Sequence, residues 1–326
     1  MFFELGLKTL MYCRSILCYI TPKFYMLNKE DKDMREYFMD HTRINFLAFC
    51  NPFQVVTENV ITLITLNKAP QNDVKVYRYD IELKAFEEDI PLDLIYSKTN
   101  QQKEWITGIT PEVLSILLKM NTEVKLKDIS ISKRGAEISK NDMRATESGL
   151  ASLIGQDMRK YAINWNNTYM STSHREYNRL KSYFSTNMIY LRRVDSCLEA
   201  TISDSLYGFN KNVYGIKINT SKGYSIKFVL ALLNSKVLDF YYKKKFSTKK
   251  EDVFPEIQTY LYEQLPIPPA TEKQQDEICS LVDVILNAKR ENNQTDTTIL
   301  EKQIDAIIYQ LYYLTDDEIK LIEQAN

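Results

Sequence analysis

The spacing of apolar residues divides the chain into three stretches. Over the first eighty residues it favours strands mixed with short helices. Residues 3–11 repeat at helical spacing, and residues 16–20 form an apolar run that stops at Thr21-Pro22. Residues 33–39 repeat as a helix again, and residues 44–49 and 60–66 are runs of strand length. The run VITLITL at 60–66 has the β-branched content of a strand covered on both faces of its sheet. Residues 70–110 are a polar connector with one predicted strand, 74–79, and Trp105 is expected to pack rather than stack on a base. Thr110-Pro111 opens a helix with proline at its first position, and Val113, Leu114, Leu117 and Leu118 are its predicted buried face.

The middle stretch is strand-rich. In 124–142, Ile129 and Ile131 predict a strand, Arg134-Gly135 a turn, and residues 139–142 (SKND) a loop. Lys133, Arg134, Lys140 and Asn141 offer phosphate donors and one amide suited to a base edge. A solvated hairpin is an equal reading for any one of them. Residues 174–181 are a basic, tyrosine-containing loop with His174, Arg175, Arg179 and Lys181. His174 is open to three readings: a ligand or acid-base group, a loop histidine beside phosphate, or a plain surface histidine. A strand then leads into Arg192-Arg193, and a second returns through Ala200-Thr201. Side chains alternate along a strand, so one arginine at most faces a ligand, while the other is expected to pair with an acid or lie over a ring.

From residue 224 the helical period returns. Phe228, Leu232 and Leu233 share a helix face behind Ser225, a candidate N-cap. Asn234-Ser235 interrupts it, and a second short helix carries Val237, Leu238 and Tyr241. Lys243, Lys244, Lys245, Lys249 and Lys250 follow within eight residues, and the stretch stops at Leu265-Pro266-Ile267-Pro268-Pro269. Phe240, Tyr241 and Phe246 are expected in the core beneath a basic rim. After Pro269, Thr271 and Gln274 form a capping-box pair. Ile278, Leu281, Val282, Ile285 and Leu286 begin an apolar stripe that resumes at Leu300, Ile304, Ile307, Ile308, Leu311 and Tyr312. Thr315 and Glu318 cap a last short helix. The expectation is an acidic helix pair folded back on its own domain.

Charge sharpens this division. The chain of 326 residues has a formal net charge of −1. Residues 1–100 carry 12 basic and 14 acidic side chains, residues 101–250 carry 25 and 13, and residues 251–326 carry 5 and 16. The balances are thus −2, +12 and −11. A central excess of twelve positive charges points to a polyanionic partner for that part alone. Two histidines and five scattered cysteines give histidine chemistry and zinc sites little to work with. No transmembrane-length apolar run and no secretory leader pattern is seen, so a cytoplasmic protein that does not enter a membrane is expected.

The order of helix, Asn-Ser break, basic-aromatic run and proline stop across 224–269 resembles the C-terminal specificity domain of TaqI-like DNA adenine methyltransferases. The same order occurs in fused type II restriction-modification enzymes, and a related one in type I specificity subunits. Segments 124–142 and 183–201 are similar to that family's entry motif and its Ile-Arg-Arg strand. FFELGLKTLMYCRSILCYITPKFYM, MREYFMDHTRINFLAF and ENVITLITLNK are similar to the last third of the family's catalytic domain.

The resemblance implies an α+β specificity domain at 101–326, with an acidic helical hairpin at 271–326. Residues 1–100 would be the terminal strands and helices of an incomplete α/β methyltransferase domain plus a connector. It implies sequence-selective recognition of double-stranded DNA for an adenine-specific restriction-modification system. The expected DNA-binding residues are Lys133, Arg134, Lys140, Asn141, Arg175, Arg179, Lys181, Arg192, Arg193, Lys243, Lys244, Lys245, Lys249 and Lys250. The family's S-adenosylmethionine loop and Asn-Pro-Pro-Tyr motif have no counterpart in these residues, and Asn51-Pro52-Phe53 is read as a loop turn. No catalytic, cofactor-binding or metal residue is therefore assigned, although the complete enzyme would use S-adenosylmethionine. The alternatives are half of a split N6-adenine methyltransferase active only with a catalytic partner in trans, or an inactive fragment or interaction protein.

Overall fold

The computed structural model describes residues 2–9, 15–26, 29–50, 59–66, 73–79, 85–91, 105, 110–145, 148–193, 197–246 and 257–325. The chain forms two compact units, Met1–Leu114 with Phe246–Val253, and Ser115–Lys245 with Phe254–Asn326.

The first unit is built on a five-stranded sheet. Its strands are β1 (Ile16–Pro22), β2 (Arg43–Cys50), β3 (Asn59–Thr65), β4 (Asp73–Tyr79) and β5 (Ala85–Pro91), in the order β1-β3-β2-β4-β5. β2 and β4 pair in parallel; the other neighbours are antiparallel. β3 lies inside the sheet, as its apolar run requires, with Val60 and Ile64 buried on one face and Ile61 and Leu63 half-buried on the other. Helix α1 (Phe2–Thr9) and helix α2 (Lys32–His41) bring Phe3 and Phe38 to one aromatic cluster. The rings of Phe3, Tyr25, Phe38 and Trp105 meet edge-on or tilted at 5.1–6.0 Å. Trp105 is therefore a packing residue, tied down further by its backbone N–H to the Met26 carbonyl at 2.8 Å. The polar connector holds a second strand, β5, that its charged sequence AFEEDIP hid; it pairs along the whole of β4. The Asn51-Pro52-Phe53 turn lies outside the described residues.

Helix α3 (Pro111–Lys119) crosses the division between the units. Ile116 and Leu117 are its buried residues, and Leu118, predicted buried, is 46% exposed.

The second unit has at its centre a four-stranded antiparallel sheet. Its strands are β6 (Ser130–Arg134), β11 (Met188–Arg192), β12 (Ala200–Ser203) and β14 (Val213–Ile218), in the order β12-β11-β14-β6. The short strands β7 (Leu150–Leu153), β10 (Tyr169–Met170) and β13 (Gly208–Phe209) form a second sheet, and β8 (Met158–Arg159) with β9 (Ala162–Ile163) a small hairpin. The strand predicted from Ile129 and Ile131 begins one residue late, because residues 126–129 close a helical turn, α4 (Leu126–Ile129), capped by Asp128 on the Lys125 N–H at 2.8 Å. Ile129 is buried and Ile131 is 65% exposed.

Two predicted loops are helices. Ser139 caps α5 (Lys140–Ala145) by accepting the Asp142 N–H at 3.1 Å, so SKND is a first helical turn. His174 caps α6 (Arg175–Leu180), its Nδ1 accepting the Glu176 N–H at 3.1 Å, which settles its role as a helix cap.

The apolar helix α7 (Ile226–Asn234) breaks at Ser235 and restarts as α8 (Lys236–Phe246). The break docks the end of β12: the Asn234 carboxamide accepts the Ala200 N–H at 2.8 Å and donates to the Ala200 carbonyl at 2.9 Å. Helix α8 runs on through three of the five predicted basic-run lysines, so Lys243, Lys244 and Lys245 are helical, and Lys249 and Lys250 lie outside the described residues. Phe240, Tyr241 and Phe246 are buried, as their spacing predicts.

After the turn helix α9 (Thr259–Tyr262) come α10 (Glu272–Glu291), α11 (Thr298–Leu311) and α12 (Asp316–Gln324). Capping boxes at Thr271–Gln274 and Thr315–Glu318 start α10 and α12. These helices fold back on their own unit. Lys227 pairs with Asp283 at 2.6 Å, the Tyr312 hydroxyl donates to the Pro266 carbonyl at 2.7 Å, and Lys119 pairs with Glu318 at 2.8 Å. No helix among the described residues is long and apolar enough to cross a membrane.

Candidate nucleic-acid interface

Strand register gathers the basic residues of the second unit at one end of its main sheet. β6 ends at Arg134 opposite Tyr214, and β11 ends at Arg192 opposite Val213, the first residue of β14. The turn Asn210-Lys211-Asn212 enters β14 at this same end. Gly135 lets the end of β6 come against that turn: a Cβ here would fall on the carbonyl oxygens of Phe209 and Asn210. The result is a groove of about 360 Å³ lined by Ser139, Lys140, Ile154, Gly155, Gln156, Arg192, Asn210, Lys211 and Asn212.

Acids organise the cations of this end. Glu137 takes Arg134 at 2.9 Å and Lys211 at 3.4 Å, and the Arg134 Nε donates to the Lys211 carbonyl at 3.2 Å. Glu176, on α6, accepts the Glu137 N–H at 3.0 Å and both Nε and NH2 of Arg179, at 3.1 and 2.7 Å. Arg179, followed by the Glu137 N–H, holds the Glu176 carboxyl below the usual carboxylate range. Arg175 lies at 4.0 Å from the same carboxylate with its side chain 88% exposed. Four cations thus share two acids, leaving a positive excess beside the groove. On the far wall Arg192 pairs with Glu199 at 3.0 Å with 23% of its side chain exposed. Both roles expected of the Arg192-Arg193 pair, acid-paired and groove-facing, fall on Arg192. Arg193 is half-buried, and its main chain bonds Asn212 and Ile257.

Lys140 and Arg192 are the two predicted residues that meet in the groove, with Arg134, Arg175 and Arg179 beside it. Asn141 is exposed on the first turn of α5 and does not line the groove; Lys181 is exposed at the end of α6. Lys133 points to the other face of β6, where its Nζ and that of Lys217 sit 5.0 and 4.7 Å from the centre of the Tyr183 ring. On α8, Lys243 is committed to buried Asp239 at 2.6 Å, Lys245 donates to the Tyr241 hydroxyl at 3.1 Å, and exposed Lys244 lies 5.8 Å from the Phe240 ring. The polar groove residues that sequence reasoning did not single out are Gln156, Asn210, Lys211 and Asn212. The only trace of the last three is a polar Asn-Lys-Asn step between two apolar runs, the mark of a turn and not of a site.

The profile of the TaqI-like C-terminal specificity domain matches residues 150–267, which include Arg192 and the whole Asn210–Asn212 turn. This part of the chain is similar to a TaqI-like specificity domain. The chain is 26% identical over 290 residues to a protein of Methanocaldococcus jannaschii (strain ATCC 43067 / DSM 2661 / JAL-1 / JCM 10045 / NBRC 100440) named "Putative type II restriction enzyme and methyltransferase RM.MjaORFECS2P". The match takes in 80% of this chain and 24% of that protein, so the chain spans about a quarter of its curated relative. Among solved structures, the fold is similar to the Type IIL restriction-modification enzyme MmeI, with a TM-score of 0.56 at 10% identity over 94% of this chain and 48% of that one. The type IIG restriction endonuclease BpuSI aligns over 92% of this chain and 48% of its own, at a TM-score of 0.40 and 10% identity. The α+β architecture and the similarity to restriction-modification proteins agree with the expectation from 224–269.

Proposed function

We propose that the second unit recognises a specific sequence of double-stranded DNA on behalf of an adenine-methylating restriction-modification enzyme. The observation that carries this reading is the groove at the sheet end. Cations and carboxamides line it together, and the specificity-domain match runs through it. Lysine and arginine on its walls supply phosphate contacts that set register, and amides in its floor supply donors and acceptors for base edges. In this reading residues 1–100 are the end of a methyltransferase domain, 101–326 the recognition domain, and the protein works in the cytoplasm. Methyl transfer from S-adenosylmethionine to an adenine amino group falls to catalytic motifs outside these residues, in a longer chain or a partner in trans.

Fluorescence anisotropy of labelled duplexes from a randomised pool, at several salt concentrations, tests the reading. The expected result is salt-sensitive binding, with a log-log slope of about −0.9 for each phosphate neutralised. Lys140→Ala is expected to reduce that slope by about one contact. Absence of binding at low salt overturns the reading.

A further inference from the structure

The three carboxamides of the groove differ in how they are committed. Asn210 is 1% exposed, and its Oδ1 accepts the Asn212 N–H at 3.0 Å. A backbone N–H can be met only by an acceptor, so this contact fixes which end of the Asn210 amide is oxygen. Asn210 lines the groove, and its Nδ2 makes no hydrogen bond among the described residues. Gln156 spends its oxygen on Arg144 at 3.4 Å. The Asn212 side chain makes no hydrogen bond among the described residues, although its main chain is held on both sides, by Asn210 and by the Arg193 N–H at 2.9 Å. Gly155 packs against it, where an added Cβ would come into contact with the Asn212 Cβ at 3.4 Å. An uncommitted amide on a fixed backbone is thus presented in a groove whose Arg192 and Lys211 already have acid partners.

We propose that Asn212 is a specificity-determining residue that reads one adenine of the DNA target, with Asn210 positioning it. The proposal rests on the DNA-recognition reading above. A planar carboxamide offers one donor and one acceptor, and adenine alone presents the complementary pair, N7 acceptor and N6 amino donor, on its major-groove edge. Guanine presents two acceptors there, which suit a guanidinium, and Arg192 is engaged by Glu199. The Nδ2 of Asn210 adds a further donor for an acceptor beside that adenine.

The test begins with the preferred duplex selected by the full chain from a random pool. Anisotropy then gives Kd for that duplex and for a random one of equal length at the same salt, with the wild-type chain and with Asn212→Ala. In parallel, each adenine of the selected site is replaced by 7-deazaadenine, which lacks the N7 acceptor. The expected result is one adenine whose replacement weakens the wild-type complex, and a loss of about tenfold to a hundredfold for Asn212→Ala on the selected duplex. Binding of the random duplex stays unchanged, and the 7-deaza penalty disappears in the variant. Equal weakening of both duplexes by Asn212→Ala marks a phosphate contact and overturns the proposal. So does a 7-deaza penalty that persists in the variant, or the absence of one at every adenine. Should Asn212→Ala fail to fold, Asn212→Gln, which keeps both polar ends, takes its place and is expected to lose the same discrimination, and the scan on the wild-type chain stands by itself. A wild-type chain without sequence preference overturns the recognition reading too, whereas a chain that selects a site and ignores Asn212 leaves that reading intact.

Discussion

Asn234 shows how much one buried amide contributes to the position of the sheet. Its two hydrogen bonds with Ala200 close both polar groups of the residue that opens β12, and it is 5% exposed. Removing it leaves the buried Ala200 N–H without its partner, at a cost of about 1–3 kcal/mol, while the Ala200 carbonyl keeps the Tyr161 N–H at 3.0 Å. Asn234→Ala is therefore expected to lower the unfolding free energy by about 1–3 kcal/mol in urea denaturation. Asn234→Asp keeps the acceptor but sets a carboxylate oxygen against the Ala200 carbonyl, so a loss of similar size is expected. Changes within ~0.5 kcal/mol for both variants would mean that solvent replaces the amide. The Asn-Ser break itself was legible in the sequence as an interruption of the helical period. Its purpose was not, because Ala200 lies 34 positions away. His174 is the converse case. Ser173 and Glu176 offer a capping-box pattern one residue early, and the helix instead takes His174 as its cap.

Among the elements, α8 separates charge that is structural from charge that is available. Asp239 is 4% exposed, accepts the Leu198 N–H at 2.8 Å with one oxygen and holds Lys243 at 2.6 Å with the other. Reversing Lys243 sets two carboxylates one helical turn apart with one of them buried. Lys243→Glu is expected to cost about 1–3 kcal/mol of stability, since the lysine end stays partly in water. Lys244→Glu, on the exposed side of the same turn, is expected to change stability by less than about 0.5 kcal/mol. Thermal unfolding of the two variants checks the contrast, and equal melting temperatures would refute it. Lys244 is thus the cleaner probe of DNA binding by this helix. The i,i+4 spacing of Asp239 and Lys243 was readable, but in sequence the five lysines form one basic run following the helix, with nothing to separate the helical Lys243, Lys244 and Lys245 from the rest. Helix propensity was masked in the same way at SKND, whose serine caps the helix that its neighbours begin. Strand β5 escaped because its acids contradict strand preference, and ladder pairing with β4 overrode that preference.

At the scale of the molecule, the strongest charge contrast in the chain is resolved by folding it back. The acidic helices lie on the basic part of their own unit, with Asp283, Glu318 and Glu323 answering Lys227, Lys119 and Lys236. Apolar stripes and capping boxes made these helices legible, whereas the groove at the sheet end draws on residues 139–140, 154–156, 192 and 210–212, which only the tertiary fold assembles. One acid among these helices has no surface to retreat to. Asp305 of α11 is 5% exposed and lines a cavity of about 80 Å³ with Lys160, Tyr161, Asn234 and Lys236. Burial pushes its pKa up to about 6, against the pull of the Lys236 N–H at 3.1 Å and of the Lys160 and Lys236 charges, with Glu323 adding to the rise. An unfolded aspartate titrates near 3.9, so the folded state binds the proton more tightly. The stabilisation from that proton is full below about pH 4 and is lost as pH rises through about 6. At pH 7 the buried charge then costs on the order of 2–3 kcal/mol, since each tenfold difference in proton affinity between the folded and unfolded chains is worth about 1.4 kcal/mol. Asp305→Asn keeps an acceptor for the Lys236 N–H and removes the charge. It is expected to be more stable than the wild-type chain at pH 7 by about 1–2 kcal/mol, with the advantage fading towards pH 4. Urea unfolding across pH 4–8 measures both curves. Parallel curves would show that Asp305 carries the same charge in the folded and unfolded chains, and would remove it as a determinant of how the helices close on the sheet.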